Sequence, residues 1–170
     1  SEGGYGVALL NDCKYGYDIH DGVMRLTLIK CVTYPNPEAD VGNHKFRYSL
    51  MSHSGSWREA KVVNEAYSFN CPLVARKTLG NGTLTGNYSY MQANKSNIII
   101  STIKEACDSK DVIVRVYESC GERTETTIIT GFKIDMVSEC NLIETEIVSD
   151  LESTDNSFNF LMKPFEIKTF

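Results

Sequence analysis

The chain has 170 residues, 42% hydrophobic and 23% charged, with a formal net charge of −5. That is ordinary for a globular protein and enough for one domain, or a large domain with a small appendage, with a real core. The acidic balance offers nucleic acid no basic face. No apolar run approaches the ~20 residues that cross a bilayer, the longest lying around Asn97 to Ile103.

Taken in order, Val7 to Leu10 reads as a short apolar strand, broken by Asn11-Asp12. A polar turn follows through Tyr15-Gly16 and Asp21-Gly22, then a strand from Met24 to Ile29 with Met24, Leu26 and Leu28 on one face. The loop Tyr34-Pro-Asn-Pro-Glu-Ala-Asp-Val-Gly42 carries two prolines, which fix their own φ and push Tyr34 and Asn36 toward extended backbone. Lys45 to Met51 alternates Phe46, Tyr48 and Leu50 against Lys45, Arg47 and Ser49, and predicts a strand with the first set buried. Ser56 and Glu59 read as a capping box opening one helix from Trp57 to about Ala66. On that helix Trp57 is read as a core anchor before it is an exposed binding platform.

Pro72 opens an extended run through Leu79, and Gly80, Gly82 and Gly86 mark turns. Strands are predicted at Tyr88–Gln92, Ile98–Glu105, Val112–Glu118, Thr124–Thr130, Phe132–Val137, Glu144–Val148, Phe158–Met162 and Glu166–Phe170, with Glu152–Ser157 as a hairpin connection. The unalternating runs Ile98-Ile-Ile100 and Val112-Ile-Val114 are expected to be covered on both faces. Many short strands and one helix predict an antiparallel all-β sandwich.

Six widely spaced cysteines without a C-x-x-C pair favour reduced thiols over a secreted disulfide framework. The sequons at Asn81, Asn87 and Asn94 are read as unmodified. Ser1 to Tyr5 shows no basic or apolar leader, and a cytoplasmic location is expected.

Several of these stretches together resemble a known family. They are Gly6-Val-Ala-Leu-Leu-Asn-Asp-Cys-Lys-Tyr-Gly16, Leu26-Thr-Leu-Ile-Lys30 and Tyr34 through His44. The likeness continues in His53-Ser-Gly-Ser-Trp57, Pro72-Leu-Val74, Val112 to Glu118, Glu139 to Glu144 and Pro164 to Thr169. The pattern resembles the C-terminal β-domain of family-38 glycoside hydrolases, nearest the cytosolic, vacuolar and bacterial α-mannosidases. The resemblance implies a galactose-mutarotase-like supersandwich with one short helix. Residues 1–170 would then be a C-terminal domain fragment of a larger zinc-dependent enzyme that hydrolyses terminal α-mannosides, with 131–170 a candidate terminal subdomain. It also implies that zinc ligands and nucleophile lie upstream, so no catalytic or metal residue is assigned here.

Within the chain itself, His20, His44 and His53 are scattered without ligand spacing, and Asp12, Asp18, Asp21, Glu38 and Asp40 suit turns or solvated faces. Asn11-Asp12 is expected to satisfy its own backbone. Tyr15 and Tyr17 would share one face, either a cleft wall or a packed surface. By the resemblance, the loop carrying Tyr34, Asn36, Glu38, Asp40 and His44 reaches an active-site rim and contacts the mannoside, while a shaped corner is the plainer reading. The expected partner is the enzyme's own N-terminal catalytic domain. Without it an apolar face or sheet edge stays uncovered, through which two chains could pair as a homodimer. The competing expectation is a free-standing carbohydrate-binding or protein-interaction sandwich.

Overall fold

The computed structural model describes residues 3–77, 82–84 and 86–170. The chain divides into two compact units, Ser1–Ala75 and Arg76–Phe170.

In the first unit β1 (Tyr5–Asn11) pairs antiparallel with β4 (Tyr48–Ser54) in a two-stranded ribbon, with Leu9 opposite Leu50 and Ala8 opposite Met51. β2 (Tyr17–His20) and β3 (Val23–Leu26) form a hairpin. Its turn residues Asp21 and Gly22 both have positive φ (49° and 73°), the backbone that a tight two-residue hairpin requires. Met24 and Leu26 are half-buried and Arg25 exposed, as the alternation predicts.

Two expectations are corrected here. The strand expected at Lys45–Met51 runs instead from Tyr48 to Ser54, and its faces are exchanged. Tyr48 and Leu50 are 57% and 66% exposed, whereas His53 is buried. The start is displaced because Arg47 is already engaged: its N–H donates to Asp12 Oδ1 at 3.0 Å and its carbonyl accepts from Asp12 N–H at 3.3 Å. Register then puts Ser49, Met51 and His53 on the face of Gly6, Ala8 and Leu10.

The helix expected over Trp57–Ala66 is α1, Val62–Asn70. The capping box does form: Ser56 N–H donates to Glu59 Oε2 at 2.7 Å, and Glu59 N–H donates to Ser56 Oγ at 3.3 Å. It closes one turn only, because Lys61 takes left-handed backbone (φ 52°) and the helix proper begins after it. Trp57 is half-buried, with the Arg58 guanidinium 4.5 Å from its ring centre. Residues 72–77 form no strand, and the remainder of the run to Leu79, with the Asn81 sequon, lies outside the described residues.

The second unit is an antiparallel sandwich. One sheet has the order β10-β9-β12-β7-β6 and the other β11-β8-β5. These are β5 (Met91–Ala93), β6 (Ile98–Glu105), β7 (Val112–Glu118), β8 (Thr124–Thr130), β9 (Val137–Cys140), β10 (Ile147–Leu151), β11 (Ser157–Met162) and β12 (Ile167–Thr169). Inward side chains from both sheets make one core, centred on Val114, Val116, Ile128, Phe158, Phe160, Met162 and Phe170. The phenylalanine rings touch with centroids 4.5–5.7 Å apart, at the separations aromatic pairs favour. Ile98, Ile99, Ile113 and Val114 are buried, but Ile100 is only half-buried and Val112 is 47% exposed, so the expected cover on both faces does not extend over the whole of either run.

Predicted and observed ranges coincide for β6, β7 and β8. The strand expected at Phe132–Val137 appears as β9, since Ile134 N–H is bound at 2.6 Å to the Asp155 carbonyl outside any ladder. The one expected at Glu144–Val148 is β10, displaced by a turn in which Asn141 Oδ1 accepts from Thr145 N–H at 3.0 Å. That expected at Tyr88–Gln92 is β5. The connection 152–157 contains a turn, Thr154 N–H to Ser157 carbonyl at 2.8 Å, but it joins strands of different sheets. Residues 131–170 supply β9 to β12, of which β11 pairs with β8 and β12 with β7.

Candidate functional site

The loop between β3 and β4 is built on its own side chains. It contains a cis peptide between Tyr34 and Pro35. Asn36 Oδ1 accepts from Glu38 N–H at 3.0 Å, which leaves that amide turned into the loop. Asp40 Oδ2 accepts from Cys31 N–H at 2.7 Å, tying the two arms together. His44 Nε2 lies 2.9 Å from the Asp40 carbonyl and must donate to it, because a carbonyl only accepts. Asn36, Asp40 and His44 therefore shape the loop. Tyr34, 86% exposed, and the exposed carboxylate of Glu38 face outward. All five residues lie on one self-braced segment, with the side chains of Tyr34 and Glu38 exposed.

Asn11 and Asp12 are structural. Asn11 Oδ1 accepts from the backbone of Cys13 and Lys14. The Asp12 carboxylate accepts from Arg47 N–H and from Arg47 Nε, each at 3.0 Å. The Arg47 backbone, then its guanidinium, hold Asp12 at a pKa of about 2. His20 pairs with Asp21 at 3.2 Å in solvent, and none of the six cysteines forms a disulfide. Among the described residues no three His, Cys, Asp or Glu side chains converge as a metal set.

Two features escaped the sequence reading. Glu118, 1% exposed, ends β7 with a carboxylate that accepts from Asn97 Nδ2 (2.8 Å) and the N–H groups of Cys120 (2.8 Å), Gly121 (2.7 Å) and Phe165 (3.0 Å). Burial pushes its pKa up, but the donors from Phe165, Cys120, Asn97 and Gly121 outweigh it and the result is lowered. The buried carboxylate organises two loops. The second is an open groove of about 420 Å³ lined by Asn87, Tyr88, Ser89, Gln92, Ile129 and Thr130–Gly131. Its wall is fixed because the Tyr88 hydroxyl donates to the Gly131 carbonyl at 2.7 Å. A Cβ on Gly131 would meet the Tyr88 hydroxyl oxygen at 2.2 Å. Neither feature has a sequence signature beyond a glutamate at a strand end and a glycine after a strand.

Comparison with known proteins places this architecture. The model of the glycosyl hydrolases family 38 C-terminal beta sandwich domain matches residues 97–170, most of the second unit. That of the glycosyl hydrolases family 38 C-terminal domain matches residues 1–38. Alpha-mannosidase G of Dictyostelium discoideum is 38% identical over 175 residues, covering 100% of this chain and 16% of that protein. Alpha-mannosidase 2C1 of Homo sapiens is 32% identical over 171 residues, covering 98% of this chain and 16% of that protein. The solved structure of an alpha-mannosidase from Enterococcus faecalis V583 shares the fold, with a TM-score of 0.78 at 22% identity over 99% of this chain and 20% of that one. The chain spans about a sixth of the length of these curated relatives. With an all-β sandwich matched by one model and the N-terminal strands by the other, the chain belongs to the C-terminal β-domain region of the family 38 glycosyl hydrolases.

Proposed function

We propose that this chain is the accessory β-domain of a cytoplasmic, zinc-dependent α-mannosidase that hydrolyses terminal α-mannosides. The carrying observation is that similarity to proteins named alpha-mannosidases runs through the whole chain while the chain makes up only 16% of their length. Zinc and the proton-transfer groups come from polypeptide outside these residues, and this chain alone is inactive. Its contribution is the braced loop at the active-site rim, where Tyr34 and Glu38 orient the sugar while Asn36, Asp40 and His44 hold the backbone in place.

In the whole enzyme, Glu38→Ala and Tyr34→Ala are each expected to raise KM or lower kcat severalfold at an unchanged unfolding temperature. Unchanged kinetics in both variants would reject the rim role. Hydrolysis of an aryl α-mannoside by the 170-residue chain alone would reject the accessory role.

One observation favours a second reading, a carbohydrate-binding module. The groove at Tyr88 is lined by amides, hydroxyls and an aromatic ring without a charged group, and Tyr90 beside it is 68% exposed. Calorimetry of the chain with mannose and short mannosides separates the two, because the accessory reading expects no measurable heat of binding.

A further inference from the structure

One of the chain's thiols stands at the end of a series of charged side chains. Cys107 lies in the connection from β6 to β7. That connection is closed by Ala106 N–H donating to the Asp111 carbonyl at 2.9 Å and Asp111 N–H donating to Ser109 Oγ at 3.2 Å. Lys104, near the end of β6, donates from Nζ to Cys107 Sγ at 3.8 Å and to Glu144 Oε2 at 2.6 Å. Glu144, in the turn before β10, is held in turn by Arg115 of β7. The Arg115 Nη2 donates to Glu144 Oε1 at 3.3 Å and to the Leu142 carbonyl at 2.7 Å. A nucleophile, its partner and a third group that orients the partner are thus in series, the arrangement by which proteins activate a weak nucleophile. The Glu144 side chain is only 12% exposed while Cys107 is exposed, so the anchored end is closed and the sulfur is open.

The other thiols differ. Cys120 is buried and Cys140 half-buried. Cys13 is exposed, but its hydrogen bond with Asp12 pushes its pKa up, which disfavours the thiolate. Cys31 and Cys71 are exposed, and among the described residues no lysine or arginine lies within hydrogen-bond distance of either sulfur.

We propose that Cys107 is a modification site, at which hydrogen peroxide oxidises the thiol to a sulfenic acid with Lys104 as the proton donor. The thiolate sulfur attacks one peroxide oxygen, so that an S–O bond forms as the O–O bond breaks. The hydroxide that leaves takes a proton from the Lys104 ammonium. Thiolate, peroxide and one proton therefore give sulfenic acid and water, the sulfur losing the two electrons that the peroxide gains. The lysine recovers its proton from solvent. The hydrogen bond with Glu144 pushes the Lys104 pKa up against the effect of burial, helped by the charges of Cys107 and Glu144, which keeps the donor a cation. This chemistry is independent of any part the chain plays in mannoside hydrolysis.

The test is timed exposure of the full-length protein to hydrogen peroxide, trapping of sulfenic acid with dimedone, and location of the adduct by peptide mass spectrometry. Cys107 is expected to label about tenfold faster than Cys31 and Cys71. Lys104→Gln is expected to bring Cys107 down to their rate while leaving theirs unmoved. Glu144→Gln, which removes the charge that orients the ammonium, is expected to slow Cys107 severalfold. Cys120 serves as the internal check on folding, and is expected to stay unlabelled in all three proteins. Labelling of Cys107 no faster than Cys31 and Cys71 overturns the proposal. So does a Cys107 rate that neither substitution changes.

Discussion

The two units solve burial in opposite ways. In residues 76–170, two sheets close on each other, and Val116, Ile128 and Met162 have no exposure at all. In residues 1–75, only Gly6, Leu10 and His53 are buried among the described residues, and Tyr15, Tyr34, Ile19 and Leu50 stand in solvent. The second unit gets its stability from its own core. The first is held by polar ties such as Asp12 to Arg47 and by capping at Ser56, which set geometry without much hydrophobic gain.

That contrast can be broken at several points. The largest effect is expected in the sandwich core: Ile128→Ala removes a fully buried side chain and should cost about 2–5 kcal/mol, read by denaturant unfolding. Glu118→Gln comes next, at about 2–4 kcal/mol, because an amide cannot accept from all four donors and leaves buried N–H groups unmet. The folded pKa of Glu118 is depressed. Its stabilisation is therefore present above the unfolded value near ~4.3 and lost as pH falls below it, a dependence that the glutamine variant should lack. A titration showing the same acid sensitivity in both proteins would count against the ionised form.

In the first unit, Asp12 at about 2 contributes fully above the unfolded value of ~3.9 and loses that contribution as pH falls toward 2. Asp12→Asn should flatten this part of the stability profile and loosen the amide of Arg47, seen by hydrogen exchange. The smallest effect is expected at the ribbon's outer face. Leu50→Ser in the 170-residue chain should change stability by no more than about 0.5 kcal/mol, as exposed positions do. A large loss there would mean that the two units are less different than their burial suggests.

The same division marks what could be read in advance. β6, β7 and β8 were legible because branched residues run between clear turn formers, so period and punctuation agree. β9 and β10 slipped because their starts depend on particular hydrogen bonds, the Asp155 carbonyl for Ile134 N–H and the Asn141 side chain for Thr145 N–H. Alternation in β4 showed that the strand has two faces but not which one is buried. That choice belongs to the register with β1, and Arg47's bond to Asp12 sets it across 35 residues. The loop at Tyr34 was legible as a stiff segment from its prolines. The division of labour inside it, with Asn36 and Asp40 turned inward and Tyr34 and Glu38 outward, depends on hydrogen bonds that composition does not show.

The carboxylate at the end of β7 has one more consequence. Its acceptor atoms serve the segment that follows β7 and the turn that precedes β12, where Phe165 lies 47 residues beyond Glu118 along the chain. A single proton arriving there would unfasten both at once. In strongly acidic solution the amides of Cys120, Gly121 and Phe165 should therefore begin to exchange in unison, as though they belonged to one continuous stretch of chain.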